Sequence, residues 1–256
     1  MNKNSTLLAV DIGNTVIHCG VFCGSRLVRT FSLPSAKRSP AFYRRSVRRL
    51  VRENKINSTV DGIVMCSVVP ALTAVVRGAL EKSLKKNVLI AGKDLSVSLK
   101  NTYKNPRQLG IDRLLAAYAA VERYGPGVII IDFGTAVTFD VVTKKGEFSG
   151  GMIFPGLDLS LDALYHHTAL LPRIKIADPR NLIGRDTKSC MTAGIVFGMA
   201  GVCDGIIRRL RRRFKGYKVV ATGGNISFIQ RYSKEIKNIQ PSLVLQGLNL
   251  LFRNRP

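Results

Sequence analysis

The sequence is short of acid. Its 256 residues carry 16 Asp and Glu against 40 Lys and Arg, a formal net charge of +24, so an acidic surface is excluded and any polyanion is attracted. Histidine is scarcer still, with three residues, and the five cysteines, Cys19, Cys23, Cys66, Cys190 and Cys203, form no Cys-x-x-Cys pair. That excludes a disulfide framework and a zinc site of the usual spacing. Cys19 and Cys23, four apart, read as small apolar residues of a strand. Long apolar runs are missing as well. The longest uncharged apolar tract, residues 189–203, is shorter than the roughly 18–20 residues that span a bilayer and is broken by Gly194, Gly198 and Gly201. Asp11 interrupts the N-terminal apolar run too early for the core of a signal peptide. The expectation is a cytoplasmic chain with no membrane partner.

What is present is ample apolar material, 46% of residues with a mean hydropathy of +0.10, and this argues for a packed core. Residues 127–140, GVIIIDFGTAVTFD, are the stretch around which the rest is organised. Val128 to Ile131 read as a strand buried on both faces. Asp132 stands where that strand emerges, Gly134 leaves room for a ligand to approach the backbone, and Thr135 and Thr138 add hydroxyl donors. A tight capped hairpin is the plainer reading of such a stretch taken alone.

The chain says nearly the same thing twice. Residues 7–18, LLAVDIGNTVIH, repeat the order of apolar run, acid, glycine and polar donors, with Asp11 and Gly13 matching Asp132 and Gly134 at one common shift. Each copy continues into a second apolar run, so each predicts strand, tight turn, strand. Two such halves can face one another across a cleft and hold a polyphosphate with its metal. The halves are expected at residues 1–118 and 119–256.

Between the copies, residues 26–33 predict a third strand, and Ser39-Pro40 a helix start running to about Asn54. Residues 61–69 predict a buried strand ending at Pro70, residues 72–84 a helix and residues 88–90 a short strand, with 93–106 irregular. The segment from Pro106 becomes a helix whose buried face is Leu114, Leu115, Tyr118, Ala119 and Val121. Asp112 and Arg113 stand in its first turn. A carboxylate there reads either as a helix cap or, with Arg113, as a base beside an anion binder. Beyond the second copy, residues 146–156 read as a glycine-rich turn, 157–170 as a helix, 172–186 as a loop, 190–214 as a long helix, 218–221 as a strand running into Thr222-Gly223-Gly224-Asn225, and 242–253 as the closing helix. His166-His167 read as a surface pair.

The basic excess concentrates in residues 44–52 and 208–218. The first of these is amphipathic, with Val47, Leu50 and Val51 on one side and five arginines largely elsewhere. A solvated helix face is the preferred reading and nucleic acid the second.

In order and spacing, Asp11-x-Gly13-Asn14-Thr15, Gly110-x-Asp112-Arg113 and Asp132-x-Gly134-Thr135-Ala136 resemble type III pantothenate kinase, and the likeness continues through Gly150-Gly151-x-Ile153-x-Pro155-Gly156. The resemblance implies an α/β fold of duplicated ribonuclease H-like halves, that of the acetate and sugar kinase, Hsp70 and actin superfamily, with a central cleft. It implies transfer of the γ-phosphoryl group of ATP to the 4′-hydroxyl of pantothenate, the first step of coenzyme A synthesis. By motif, Asp11, Ile12, Gly13, Asn14, Thr15, Val16, Ile17 and His18 would form the first phosphate loop, with Asp11 near magnesium. Asp112 would be the general base, and Gly110, Ile111, Asp112 and Arg113 would line the pantothenate site together with Tyr103 and Thr187. Asp132 would bind a monovalent cation, potassium or ammonium, and Thr135 would contact ATP. The implied partner is a second copy of the chain in a homodimer. A regulator that binds nucleic acid on the same fold is the alternative, and the presence of all three acidic motif positions weighs against it.

Overall fold

A computed structural model describes residues 5–35, 38–54, 56 and 60–255. The first apolar run is β1 (Thr6–Ile12), which turns at Gly13 to Thr15 into β2 (Val16–Cys23) and again into β3 (Arg26–Pro34). Helix α1 (Pro40–Glu53) starts where the sequence says it should: Ser39 Oγ accepts the backbone N–H of Phe42 at 3.2 Å, and Pro40 occupies the first helical position. Its buried side is Tyr43, Val47, Leu50 and Val51, while Arg44, Arg45, Arg48, Arg49 and Arg52 are exposed, as a solvated face requires. Then follow β4 (Gly62–Ser67), α2 (Pro70–Leu84) and β5 (Val88–Ile90).

The stretch 93–106 is less irregular than its composition suggests. It holds a short strand, β6 (Lys100–Asn101), and a 3-10 turn begins at Pro106. Helix α3 (Ile111–Tyr124) leads to β7 (Val128–Phe133), β8 (Ala136–Val142) and β9 (Glu147–Pro155). The glycine-rich segment is therefore a strand and not a turn. Gly150 and Gly151 carry no side chain to show alternation, and the β8 to β9 register slips by one residue beside Gly150 at a bulge. After α4 (Leu157–His166) come α5 (Thr187–Arg213), β10 (Lys218–Thr222), the single-turn α6 (Ile226–Ile229), β11 (Asn238–Ile239) and α7 (Leu243–Arg253). Helix α4 ends four residues before the expected limit, and α5 begins earlier than expected. There Asp186 caps the helix, accepting from Ser189 N–H, while Ser189 Oγ reaches back to the Asp186 backbone.

The duplication is plain in the sheets. The first has the order β3-β2-β1-β4-β5, and the second, β11-β10-β7-β8-β9-β6, contains the same order read in reverse with β6 added at its edge. In each, three antiparallel strands are followed by strands added in parallel. Contacts divide the chain into two compact units. One comprises Met1–Leu99, Lys104–Ala119 and Leu243–Pro256, and the other Lys100–Tyr103 and Ala120–Ser242. In the first, one sheet face packs Leu8, Val10, Ile12, Ile17, Ile63 and Met65 against α1 and α2. Helix α7 takes the other face, where Gly62 lies against Phe252 and Gly20 against Leu245. In the second, Ile129, Ile131, Phe133, Val137 and Phe139 pack against Val196, Met199, Cys203 and Ile207 of α5.

The expectation that no segment is long and apolar enough to span a bilayer does not hold. Helix α5 has 27 residues and an 18-residue stretch of mean hydropathy 1.7, so it is long and apolar enough to cross a membrane. Asp204, which ends the uncharged tract, is buried, at 7% exposure, and its charge is met by Ser233 Oγ and by the backbone N–H groups of Lys234 and Glu235. The apolar face of α5 is spent on the core of its own unit.

Candidate active site

In the first unit the strand registers set Asp11 beside Cys66 on β4 and beside His18 on β2. Side chains alternate along a strand, so these three share the sheet face opposite the Ile12 and Met65 core. The turn that follows is closed by Gly13 N–H donating to Val16 O at 3.1 Å, which leaves Asn14, Thr15 and His18 exposed and Val16 half-buried. Ile12 and Ile17 are fully buried in the core, so what they offer a ligand is backbone alone.

Asp112 arrives at this face on the first turn of α3. The helix is seated by Leu115, whose carbonyl lies so close to Gly247 of α7 that a β carbon there would sit 2.5 Å away. It is also seated by Ile111 against Gly92. Asp112 lies inside the first turn of α3, and its Oδ1 accepts the N–H of the next residue, Arg113, at 2.8 Å, a shorter reach than a cap makes. Gly110, Ile111, Asp112 and Arg113 are all half-buried.

Burial pushes the Asp11 carboxyl up to about 7, with the Cys66 thiol working against the shift and the Asp112 charge adding to it. Cys66 Sγ lies 3.2 Å from Asp11 Oδ1. Burial, and then the Asp11 charge, push the thiol well above its usual range, so at neutral pH it is a donor. Among the described residues Asp11 Oδ2 takes no hydrogen bond. No group of three or more His, Cys, Asp or Glu gathers as a metal cage among those residues either. A hard carboxylate with an open oxygen fits Mg²⁺, which takes one or two protein carboxylates and completes its shell with phosphate and water oxygens.

In the second unit Asp132 faces Thr138 across β8 and Thr222 across β10. Gly223 touches it: a β carbon at 223 would lie 2.5 Å from Asp132 Oδ1. Thr135 is exposed in the turn, and its carbonyl accepts the N–H of Gly156 at 3.0 Å. Tyr103 lies along β9, its ring centroid 6.1 Å from that of Phe148 and its edge beside Gly150. Thr187 is exposed at the first position of α5. Sequence reasoning missed Cys66 and Gly223 as neighbours of the two acids. Both are brought there by strand register, which no local motif encodes.

Two sheets of this topology, each with an acid at the end of its first strand, define the fold of the acetate and sugar kinase, Hsp70 and actin superfamily. Solved structures agree. A protein of Campylobacter jejuni described as a Baf family transcriptional activator superposes with a TM-score of 0.59 at 20% identity, covering 97% of this chain and 98% of its own. A ROK family glucokinase of Streptomyces griseus, in complex with glucose and AMPPNP, gives 0.55 at 12% identity, with 98% and 100% covered. At the level of sequence, the family model for type III pantothenate kinase matches residues 7–209. A type III pantothenate kinase of Moorella thermoacetica is 38% identical over 96% of this chain and 98% of its own. One of Myxococcus xanthus is 39% identical over 96% and 97%. The chain belongs to the type III pantothenate kinase family.

Proposed function

We propose that the protein transfers the γ-phosphoryl group of ATP to the 4′-hydroxyl of pantothenate, the step that opens coenzyme A synthesis. The observation that carries this reading is the meeting of the Asp112 turn with the end of the Asp11 strand in a chain of this family: a β carbon at Gly110 would touch both Asp112 Oδ1 and, at 3.8 Å, Val68 Cγ1, and Val68 N–H donates to Ile12 O at 3.0 Å. A primary alcohol is a weak nucleophile until a base takes its proton as the new bond forms. Asp112 is suited to that work: one oxygen is fixed by Arg113 N–H, and the first turn of a helix holds the group still. Gly110, Ile111 and Arg113 line the acceptor site around it, and the Arg113 guanidinium answers the carboxylate of pantothenate. Tyr103 and Thr187 are further acceptor contacts.

Phosphoryl transfer asks for positioning and charge neutralisation more than for covalent help. The turn from Asp11 to His18 presents backbone and the side chains of Asn14 and Thr15 to the phosphates, and Thr135 serves ATP from the second copy of the motif. Asp11 would hold magnesium, which when bound neutralises charge on the phosphate oxygens. Asp132, with the side-chain-free Gly223 against it, would hold a monovalent cation, potassium or ammonium.

The protein acts as a homodimer in the cytoplasm, where ATP is supplied. Large apolar side chains exposed on β9 and α4, among them Ile153 at 66% and Leu159 at 45%, support pairing with a second copy. A coupled assay of ADP release tests the function. ADP should form only when pantothenate and Mg²⁺ are both supplied, and faster with K⁺ or NH₄⁺ than with neither. ADP release indifferent to pantothenate would overturn the proposal.

A further inference from the structure

The residue that meets Asp11 from β4 could have been any small apolar side chain if packing were its only duty. Cys66 is fully buried, one residue along from the core-facing Met65 and on the opposite sheet face. Its thiol is the one hydrogen-bond donor that the described residues offer the Asp11 carboxyl, 3.2 Å from Oδ1. With no second donor among the described residues, the carboxyl can turn about its Cβ–Cγ bond, and that rotation withdraws an oxygen from a cation.

We infer that Cys66 is a positioning residue for the bound divalent cation: its thiol pins Oδ1 of Asp11, and Oδ2 is thereby kept turned to the metal. The choice of sulfur suits that task. A thiol is a weak donor, so it sets the rotation of the carboxyl while drawing little negative charge from the oxygens that must face Mg²⁺. A backbone N–H or an arginine at the same place would fix the group as well but would compete with the cation for it. This role rests on the assignment of Asp11 to magnesium given above.

The test is ADP binding, measured by calorimetry with and without Mg²⁺, on the wild-type protein and on Cys66→Val, Cys66→Ser and Asp11→Asn. Valine adds about one methyl group at a strand position that suits β-branched residues, and a melting curve beside the titration checks that the fold survives while the donor is lost. Serine restores a donor. Loss of one net hydrogen bond predicts that Cys66→Val weakens MgADP about five- to tenfold, with metal-free ADP bound as in wild type. Cys66→Ser should return MgADP binding to within about twofold of wild type. In kinetics the same split appears as a raised KM for Mg²⁺ at nearly unchanged kcat. If Cys66→Val binds MgADP like wild type, or loses ADP and MgADP in equal measure, the thiol is packing only and the inference is overturned. If Asp11→Asn keeps the full advantage of Mg²⁺, the magnesium assignment falls and this inference with it. If Asp11→Asn loses that advantage and Cys66→Val does not, the inference alone falls.

Discussion

Gly110 lies under the carboxyl group of Asp112: a β carbon built at 110 would meet Asp112 Oδ1 closer than any real contact permits. The clash is with the tip of a flexible side chain and not with backbone, so the chain escapes it cheaply by swinging the carboxyl aside. Gly110→Ala should therefore leave thermal stability within a few degrees of wild type while moving the base away from the acceptor hydroxyl. A displacement of that kind predicts a fall in kcat of about tenfold to a hundredfold, with the KM for ATP unchanged. Steady-state kinetics beside a melting curve read both. Unimpaired kcat would show that Asp112 does not act from its observed position, and a large loss of stability that the clash does not fall on a yielding side-chain tip.

Asp112→Asn separates the two duties of that residue. The amide oxygen still accepts from Arg113 N–H, so the first turn of α3 keeps its bond, but an amide takes no proton. The expected result is a folded protein whose kcat with pantothenate falls at least about a hundredfold, the low end for general-base catalysis. Wild-type turnover would remove Asp112 from the role of base.

The acids themselves were legible because their motifs are local. An apolar run, then acid, glycine and hydroxyl, fixes strand and turn in one stretch, and both copies fold as read. Helix α1 was equally open, since Ser39, Pro40 and the spacing of Val47, Leu50 and Val51 agree. Strand β9 was not. Its glycines hide the alternation that marks a strand, and its place is set by pairing with β8. Nor could Cys66 be read as a partner of Asp11, since 55 residues separate them and only the parallel pairing of β1 with β4 brings them level. The approach of Gly223 to Asp132 is hidden for the same reason, through the pairing of β10 with β7.

Gly223 and Gly224 are neighbours with opposite tolerances. At Gly223 the backbone is in the left-handed region, φ +98°, and a β carbon would lie 2.5 Å from both Asp132 Oδ1 and the backbone nitrogen of Phe133. Backbone cannot yield as a side-chain tip can. Gly223→Ala should cost about 1–3 kcal/mol, which in a chain of this size lowers Tm by several degrees, and should weaken the K⁺ stimulation that Asp132 is proposed to carry. Gly224 is exposed and an added β carbon there meets nothing within 4 Å. Gly224→Ala should melt like wild type. Equal melting of the two variants would contradict the packing of this loop on Asp132.

Asp204 gives the second unit a dependence on pH. Burial works to raise its pKa, but bonds from Ser233 Oγ, Lys234 N–H and Glu235 N–H outweigh it and hold the carboxyl below its ordinary range, with Arg208 assisting. A carboxyl depressed in the fold contributes stability that is fully present above its unfolded value near 4 and is lost as pH falls through the lower folded value. Asp204→Asn turns an amide N–H toward donors that all need an acceptor, so a buried donor goes unmet, at a cost of about 1–3 kcal/mol. Thermal unfolding should show the variant melting several degrees below wild type at pH 7, with the gap closing as the pH is brought from about 4 down toward 2. A gap that stays constant across that range would mean that the lost stability comes from shape and not from the charge of Asp204.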